Sequence, residues 1–285
     1  MNTSILILLV MAALGITFGL ILAFANKKFA IEVNPLIHIV EDVLPKGQCG
    51  ACGYAGCMAY AEAVVTNPDV PPNMCVPGKA VVAARVAELT GKKAEEVEPR
   101  VARIMCSGGL EQAKRSYEYK GVQTCAAANV LFGGPKSCAY GCLGFGDCVA
   151  TCPFGAMTLG ENHLPQIDKE KCTGCGACQK VCPKQVIDLT PLTANVHVSC
   201  KSLAKGAEVR KICTVGCLSC TLCMRQCTHD AIKMVNNLPV VDHSKCVECT
   251  EAKCVEKCPT KAIHLIRQAA GEPPVVKAPA QAQPM

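Results

Sequence analysis

Twenty-four of the 285 residues are cysteine, and their spacing carries the chemistry of the chain. The run Cys172, Cys175, Cys178, Cys182, Pro183 follows C-x2-C-x2-C-x3-C-P to the letter, the arrangement that wraps an iron-sulfur cubane. A cubane needs four thiolates at the corners of a tetrahedron, so three come from one tight loop and the fourth arrives from elsewhere. Pro183 and its counterparts Pro153 and Pro259 fix the backbone where the chain turns away from each loop. Two other uses of cysteine fit poorly. Disulfide staples serve small secreted domains, and this chain is too long to need them. Zinc ribbons set two C-x2-C pairs roughly 15 to 20 residues apart, whereas here four cysteines recur within about a dozen residues.

The elements that must position these thiols are repeated. A shift of 75 residues carries Cys125 onto Cys200, Cys138 onto Cys213, Cys142 onto Cys217, Cys148 onto Cys223 and Cys152 onto Cys227. Shifts of 74 to 76 carry Cys172, Cys175, Cys178 and Cys182 onto Cys246, Cys249, Cys254 and Cys258. The intervening segments, AMTLGENHLPQID and AIKMVNNLPVVD, both read as strand, Asn-containing turn, strand. The fold class is therefore α+β with two tandem two-cluster domains of the bacterial ferredoxin kind, 131–192 and 193–268, the second with its cysteine runs inside 206–268.

In two-cluster ferredoxins the last cysteine of each run serves the neighbouring cluster. That rule assigns Cys138, Cys142, Cys148 and Cys182 to one cluster and Cys172, Cys175, Cys178 and Cys152 to the next. In the second domain it groups Cys217, Cys220 and Cys223 with Cys258, and Cys246, Cys249 and Cys254 with Cys227. The repeat and the rule disagree at one point: Cys213 aligns with Cys138, while Cys220 has no counterpart. Either Cys213 displaces one of these ligands or Cys138 has a different job. The loops Cys142–Cys148 and Cys249–Cys254 are also longer than the usual gap, and Thr228 stands where proline would follow Cys227.

Ahead of the repeat, residues 27–90 form a smaller module in which Cys49, Cys52 and Cys57 sit in GQCGACGYAGC and Cys75 closes from a distance. Gly50, Gly53 and Gly56 let the backbone wrap closely and aim N–H groups at sulfur. With this module the chain holds five 4Fe-4S clusters on twenty cysteines. Cys106, Cys125, Cys200 and Cys213 are left over, either as a sixth set of ligands or as small buried apolar groups. Residues 79–104 read as helical with a break at Thr90-Gly91, and 91–130 as a helical linker. The Pro/Ala-rich tail, 269–285, reads as disordered.

Ile5 to Ala25 carry no charge over 21 residues, about 31 Å as a helix and enough to span a bilayer core. Residues 1–26 thus form a single transmembrane anchor. A cleaved signal peptide is the other reading, since Ala23-Phe24-Ala25 resembles a cleavage site, but Met1 to Ser4 offer no basic side chain and the run is long. Lys27 and Lys28 put the cluster domains on the cytoplasmic side by the positive-inside rule, where reducing conditions keep thiols available for metal. Gly15, Gly19 and Ala23 form a small-residue stripe suited to close helix packing. The anchor contains no ionisable residue, so an ion path, if one is coupled to this chain, belongs to other subunits.

Composition excludes other classes. The formal charge of +6 omits thiolates and iron; five oxidised clusters at about −2 each bring the total to about −4. With no Trp and 4% aromatic residues, nucleic acid is not an expected partner. The histidines, among them His38, His197 and His229, are scattered and read as surface or packing residues. Gly144-Phe145-Gly146 lies between cluster cysteines and is no dinucleotide fingerprint. No catalytic residue, flavin site or nicotinamide site is expected.

The order of parts resembles the B subunit of the Rnf complex: the anchor, the NPL segment at Asn34 to Leu36, QCGACGYAGC at Gln48 to Cys57, Cys75 in NMCVPGK, and CSGG at Cys106 followed by the ferredoxin runs. The second ferredoxin domain resembles the longer form found in fermentative and acetogenic anaerobes. The resemblance implies a relay subunit of an ion-translocating ferredoxin:NAD oxidoreductase. Its partners would be soluble reduced ferredoxin, polytopic membrane subunits, and a flavin-bearing subunit that handles NAD, with Na+ or H+ as the transported ion. Two other functions are weighed against it: a polyferredoxin subunit of a hydrogenase or heterodisulfide-reductase system, which the first-module loop speaks against, and a redox sensor, which would not require five clusters.

Overall fold

In the computed structural model, which describes residues 3–29, 34–94, 98–247, 249 and 251–266, the charge-free N-terminal run forms helix α1 (Thr3–Phe29). Its span Ile5–Lys28 is long and apolar enough to cross a membrane and buries none of its surface against the rest of the chain. A Cβ added at Gly15 or Gly19 would meet nothing, so the small-residue stripe faces open space. The tail expected to be disordered, 269–285, lies outside the described residues.

The first module is three helices around one apolar cluster. Asn34 opens α2 (Pro35–Val43) by accepting from the Leu36 N–H at 3.0 Å, with Pro35 in the first turn where its missing donor costs nothing. Helix α3 (Cys57–Thr66) starts on a cluster cysteine, whose N–H donates to Gln48 Oε1 at 2.9 Å. Helix α4 (Lys79–Thr90) ends at Gly91, whose positive φ of 66° glycine adopts without penalty. Ile37, Val40, Leu44, Tyr60, Ala61, Val64, Val70 and Val86 form the core, against which Cys52, Cys57 and Cys75 pack. Lys92, just past α4, donates from Nζ to the carbonyls of Val64, Asn67 and Val70 at 2.7–2.8 Å, tying the end of α3 and its following loop to the end of α4.

The expectation of helix through residue 104 is corrected here. Arg100–Ile104 is strand β1, and of the supposed helical linker 91–130 only α5 (Cys125–Val130) is helical among the described residues. Strand β1 runs antiparallel to a strand far along the chain, in a ladder from Arg100↔Pro191 to Ile104↔Ile187. Ala102 and Ile187 bury in one core cluster, while Val101 is also almost fully buried. That burial outweighs the weak helical preference of a five-residue segment, which is too short to hold a helix alone.

The first repeat therefore begins at β1, not at residue 131. It continues through α6 (Asp147–Ala150), the hairpin β2 (Met157–Leu159) and β3 (Pro165–Ile167), α7 (Ala177–Val181), and the closing strand β4 (Ile187–Pro191). Four residues later the same order restarts with β5 (Val196–Val198), α8 (Gly206–Ile212), α9 (Leu222–Arg225), hairpin β6 (Ile232–Val235) and β7 (Leu238–Val241), α10 (His243–Cys246), α11 (Lys253–Glu256) and β8 (Ile263–Leu265). Strand β8 pairs with β5 as β4 pairs with β1. Each repeat is thus an inner hairpin and an outer strand pair, with short helices carrying cysteines between them.

Residues 105–116 are stitched to both repeats. Met105 N–H donates to Val186 O at 2.7 Å, Ser107 N–H to Ser199 O at 3.0 Å, and Lys114 N–H to Ile212 O at 2.8 Å. His197 is buried, as a packing residue should be, with Nε2 2.8 Å from Ile104 O.

The three carbonyls held by Lys92 give a direct test. Lys92→Met should lower stability by about 1–2 kcal/mol, and amide exchange should quicken in residues 57–70 while the hairpins β2–β3 and β6–β7 stay protected.

Candidate iron-sulfur sites

The thiols converge on cavities rather than on points. Cys152, Cys172, Cys175 and Cys178 line one, and Cys217, Cys220, Cys223 and Cys258 another. Cys227, Cys246, Cys249 and Cys254 line a third. These three sets are the groupings that the cross-over rule expects. In the first module, Cys75 interacts electrostatically with Cys57, Cys52 and Cys49.

The remaining set differs from expectation. Cys142, Cys148 and Cys182 line a cavity with Cys125, not with Cys138. Asp147 explains the placement: its carboxylate accepts from the N–H groups of Cys125 and Ala126 at 2.9 and 3.0 Å, pinning the start of α5 beside the start of α6. Cys138 lines a separate cavity between the repeats, with Cys106, Cys200 and Cys213. The signal was present in the spacing. Cys142 and Cys148 have Phe145 where Cys217 and Cys223 have Cys220, so the first repeat lacks a loop cysteine and must draw its fourth thiol from elsewhere.

The donor sets fit a polynuclear cluster better than a single ion. Among the described residues no three His, Cys, Asp or Glu side chains lie close enough to hold one metal ion, whereas zinc would draw four sulfurs to about 2.3 Å from one point. Each of the five cavities is lined by four cysteines. Backbone N–H groups point at several of the sulfurs: Ala102 at Cys172, Ala156 at Cys152, Ala231 at Cys227 and Ala262 at Cys258, at 3.3–3.5 Å. Such contacts stabilise negative charge on sulfur and raise a cluster's potential.

The sets follow one another in space. Cys175 interacts with Cys49, and a Cβ at Gly47 would come 3.0 Å from the Phe154 ring; both put the first module against the first repeat. Cys148 interacts with Cys178, which belongs to the neighbouring set of that repeat.

An apolar N-terminal helix, a small cysteine module and ferredoxin-type cysteine cradles define a membrane-anchored, multi-cluster iron-sulfur protein. Family models agree: residues 44–77 match a putative Fe-S cluster family and residues 137–186 a 4Fe-4S dicluster domain. The chain is 60% identical, over 93% of its length and 94% of the relative's, to the B subunit of the proton-translocating ferredoxin:NAD(+) oxidoreductase complex of Clostridium ljungdahlii. It is 41% identical to the B subunit of the ion-translocating oxidoreductase complex of Methanosarcina acetivorans, over 90% of this chain and 96% of that one. It is 40% identical to the B subunit of the Na(+)-translocating ferredoxin:NAD(+) oxidoreductase complex of Acetobacterium woodii, over 89% and 75%. The chain belongs to this family of ion-translocating oxidoreductase B subunits.

Burial pushes the Cys142 and Cys148 thiols up to about 12 and those of Cys75, Cys178, Cys200, Cys223 and Cys254 up to about 11, from an ordinary 9.0. Below pH 9 these thiols are neutral whether the chain is folded or not. As pH rises from about 9 towards 11 or 12, the unfolded chain loses its protons first, so the stability of iron-free protein falls across that window. Urea midpoints of iron-free protein should drop there, while iron-loaded protein, whose ligands are already thiolates, should not show the same loss; cluster insertion at neutral pH should release protons.

Proposed function

We propose that this chain is the electron-relay subunit of an ion-translocating ferredoxin:NAD oxidoreductase, taking electrons from reduced ferredoxin and passing them to membrane partners. The observation that carries the reading is that cavities in both repeats each gather four cysteines, with Cys148 near Cys178 and Cys175 near Cys49 joining the sets of the first repeat to the first module. The family's printed names, which join ferredoxin, NAD and ion translocation, support the same reading.

The ligand sets are Cys49, Cys52, Cys57 and Cys75; Cys125, Cys142, Cys148 and Cys182; Cys152, Cys172, Cys175 and Cys178; Cys217, Cys220, Cys223 and Cys258; and Cys227, Cys246, Cys249 and Cys254. When bound, 4Fe-4S clusters supply one-electron centres. The chain's own part is to hold them in sequence, to exclude water with buried thiols and apolar neighbours, and to set their potentials through N–H groups aimed at sulfur. The second repeat is the second two-cluster ferredoxin domain and the entry point for ferredoxin. The first module is the exit point, because it adjoins the anchor in sequence. Lys27 and Lys28 at the end of α1 favour the cytoplasmic side for all of them. NAD and flavin chemistry and the ion path belong to other subunits.

Reduced ferredoxin should reduce the chain stepwise in an anaerobic EPR titration. Cys52→Ser should remove or alter the first-module signal, leave ferredoxin reduction of the repeats intact, and stop electron delivery within the assembled complex. Ferredoxin that cannot reduce any centre, or zinc in place of iron, would defeat the relay reading.

A further inference from the structure

The cavity between the repeats has the same construction as the cluster cradles. Cys106, Cys138, Cys200 and Cys213 line one cavity together with Gly108, Lys136, Gly141 and Gly216. Cys106 interacts with Cys138, Cys200 and Cys213, and no disulfide joins the four. Glycine lets the chain pass close to the sulfurs: a Cβ at Gly108 would stand 3.2 Å from Cys213 Sγ and 3.8 Å from Cys106 Sγ, and one at Gly141 3.7 Å from Cys138 Sγ. The Cys142 N–H points at Cys106 Sγ at 3.4 Å, the same kind of contact that Cys152, Cys172, Cys227 and Cys258 accept.

The four thiols also come as two matched pairs. Cys106 and Cys200 each lie two residues beyond the opening strand of a repeat, after Ile104 and Val198. Cys138 and Cys213 each begin a Cys-x-x-Gly-Cys stretch, CAYGC and CTVGC. Each repeat therefore contributes one cysteine of each kind, and the Ser107 N–H to Ser199 O bond holds the two exit segments together.

Charge supplies an independent argument. Lys136 is 5% exposed and lines this cavity, with Nζ donating to Gly108 O at 2.6 Å. Among the described residues no carboxylate forms an ion pair with it. A buried ammonium is costly unless an anion faces it, and a cubane on four thiolates is such an anion.

We propose that Cys106, Cys138, Cys200 and Cys213 hold a sixth 4Fe-4S cluster at the junction of the two repeats, with Lys136 as the buried cation that sets its potential. It rests on the relay reading and adds the link that reading lacks. Cys106 interacts with Cys142 of the first repeat's set, and Cys200 with Cys217 of the second repeat's set. One electron would enter from the reduced second repeat and one would leave to the oxidised first repeat, with no bond made or broken.

The test is iron and acid-labile sulfide per full-length chain, prepared and reconstituted without oxygen, with quantitative EPR. The proposal expects about twenty-four irons, and about twenty in Cys138→Ser and in Cys200→Ser with the first-repeat signal intact, while Cys125→Ser disturbs that signal. About twenty irons in the parent chain, unchanged in Cys200→Ser, overturns it and leaves the relay reading standing; iron far below twenty, or zinc, defeats the relay reading itself. Should the serine variants shed all their iron, Lys136→Met decides. Parental iron content with a signal other than the first-repeat cluster's moved to a lower potential supports the sixth cluster; potentials that do not move, or a move confined to the first-repeat cluster, overturn it.

Discussion

Four thiolates must meet around one inorganic core, and no short segment can supply all four with tetrahedral directions. Everything else in the cluster-bearing part of this chain follows from that geometric demand. Each cradle takes its cysteines from parts of the chain distant in sequence, as Cys182 does when it joins Cys142 and Cys148, so forming the cradle and closing the fold are one event. The strands are correspondingly short, three to five residues. Strand pairing alone would be marginal at that length; the cradles fix the arrangement.

Burial works with this demand rather than against it. The cysteines take the place that leucine and valine hold elsewhere: Cys148 and Cys178 sit in one core cluster with Ala102, Met157 and Ile187, and Cys223, Cys246 and Cys254 in another with Val196, Val198 and Ile263. A thiolate in such surroundings is expensive without metal, which is why burial raises these thiols so far. Metal and core are therefore coupled: ligands that must give up their protons to bind iron are the same side chains that fill the core.

How much could be read from sequence depended on how local the signal was. The runs Cys172–Cys182 and Cys217–Cys223 declare their loops because ligand spacing is a local constraint, and the two hairpins were legible from the alternation around their Asn-containing turns. Strand β1 was not, since Arg100–Ile104 becomes a strand only by meeting Ile187–Pro191, a partner that no local pattern announces. The place of Cys125 beside Cys142, Cys148 and Cys182 was missed for the same reason: it depends on Asp147 gripping the start of α5. The gap at Phe145 marked the missing thiol without naming its replacement. Membership in the B-subunit family was legible in the order of the glycine and cysteine motifs.

The link between β4 and β5 is only four residues, Leu192 to Asn195, and it joins the closing strand of the first repeat to the opening strand of the second. Asn195 is itself buried, with Nδ2 donating to the carbonyls of Cys246 and Val247 at 2.7 and 2.8 Å, so the link is anchored in the last cluster loop rather than draped over the surface. Electron tunnelling falls off exponentially with distance, and a hinge at this point would make its rate fluctuate with every domain motion. A short connector whose last two residues, Ala194 and Asn195, are buried ties the repeats into one conductor, and lengthening it would be expected to slow the current without touching a single cysteine.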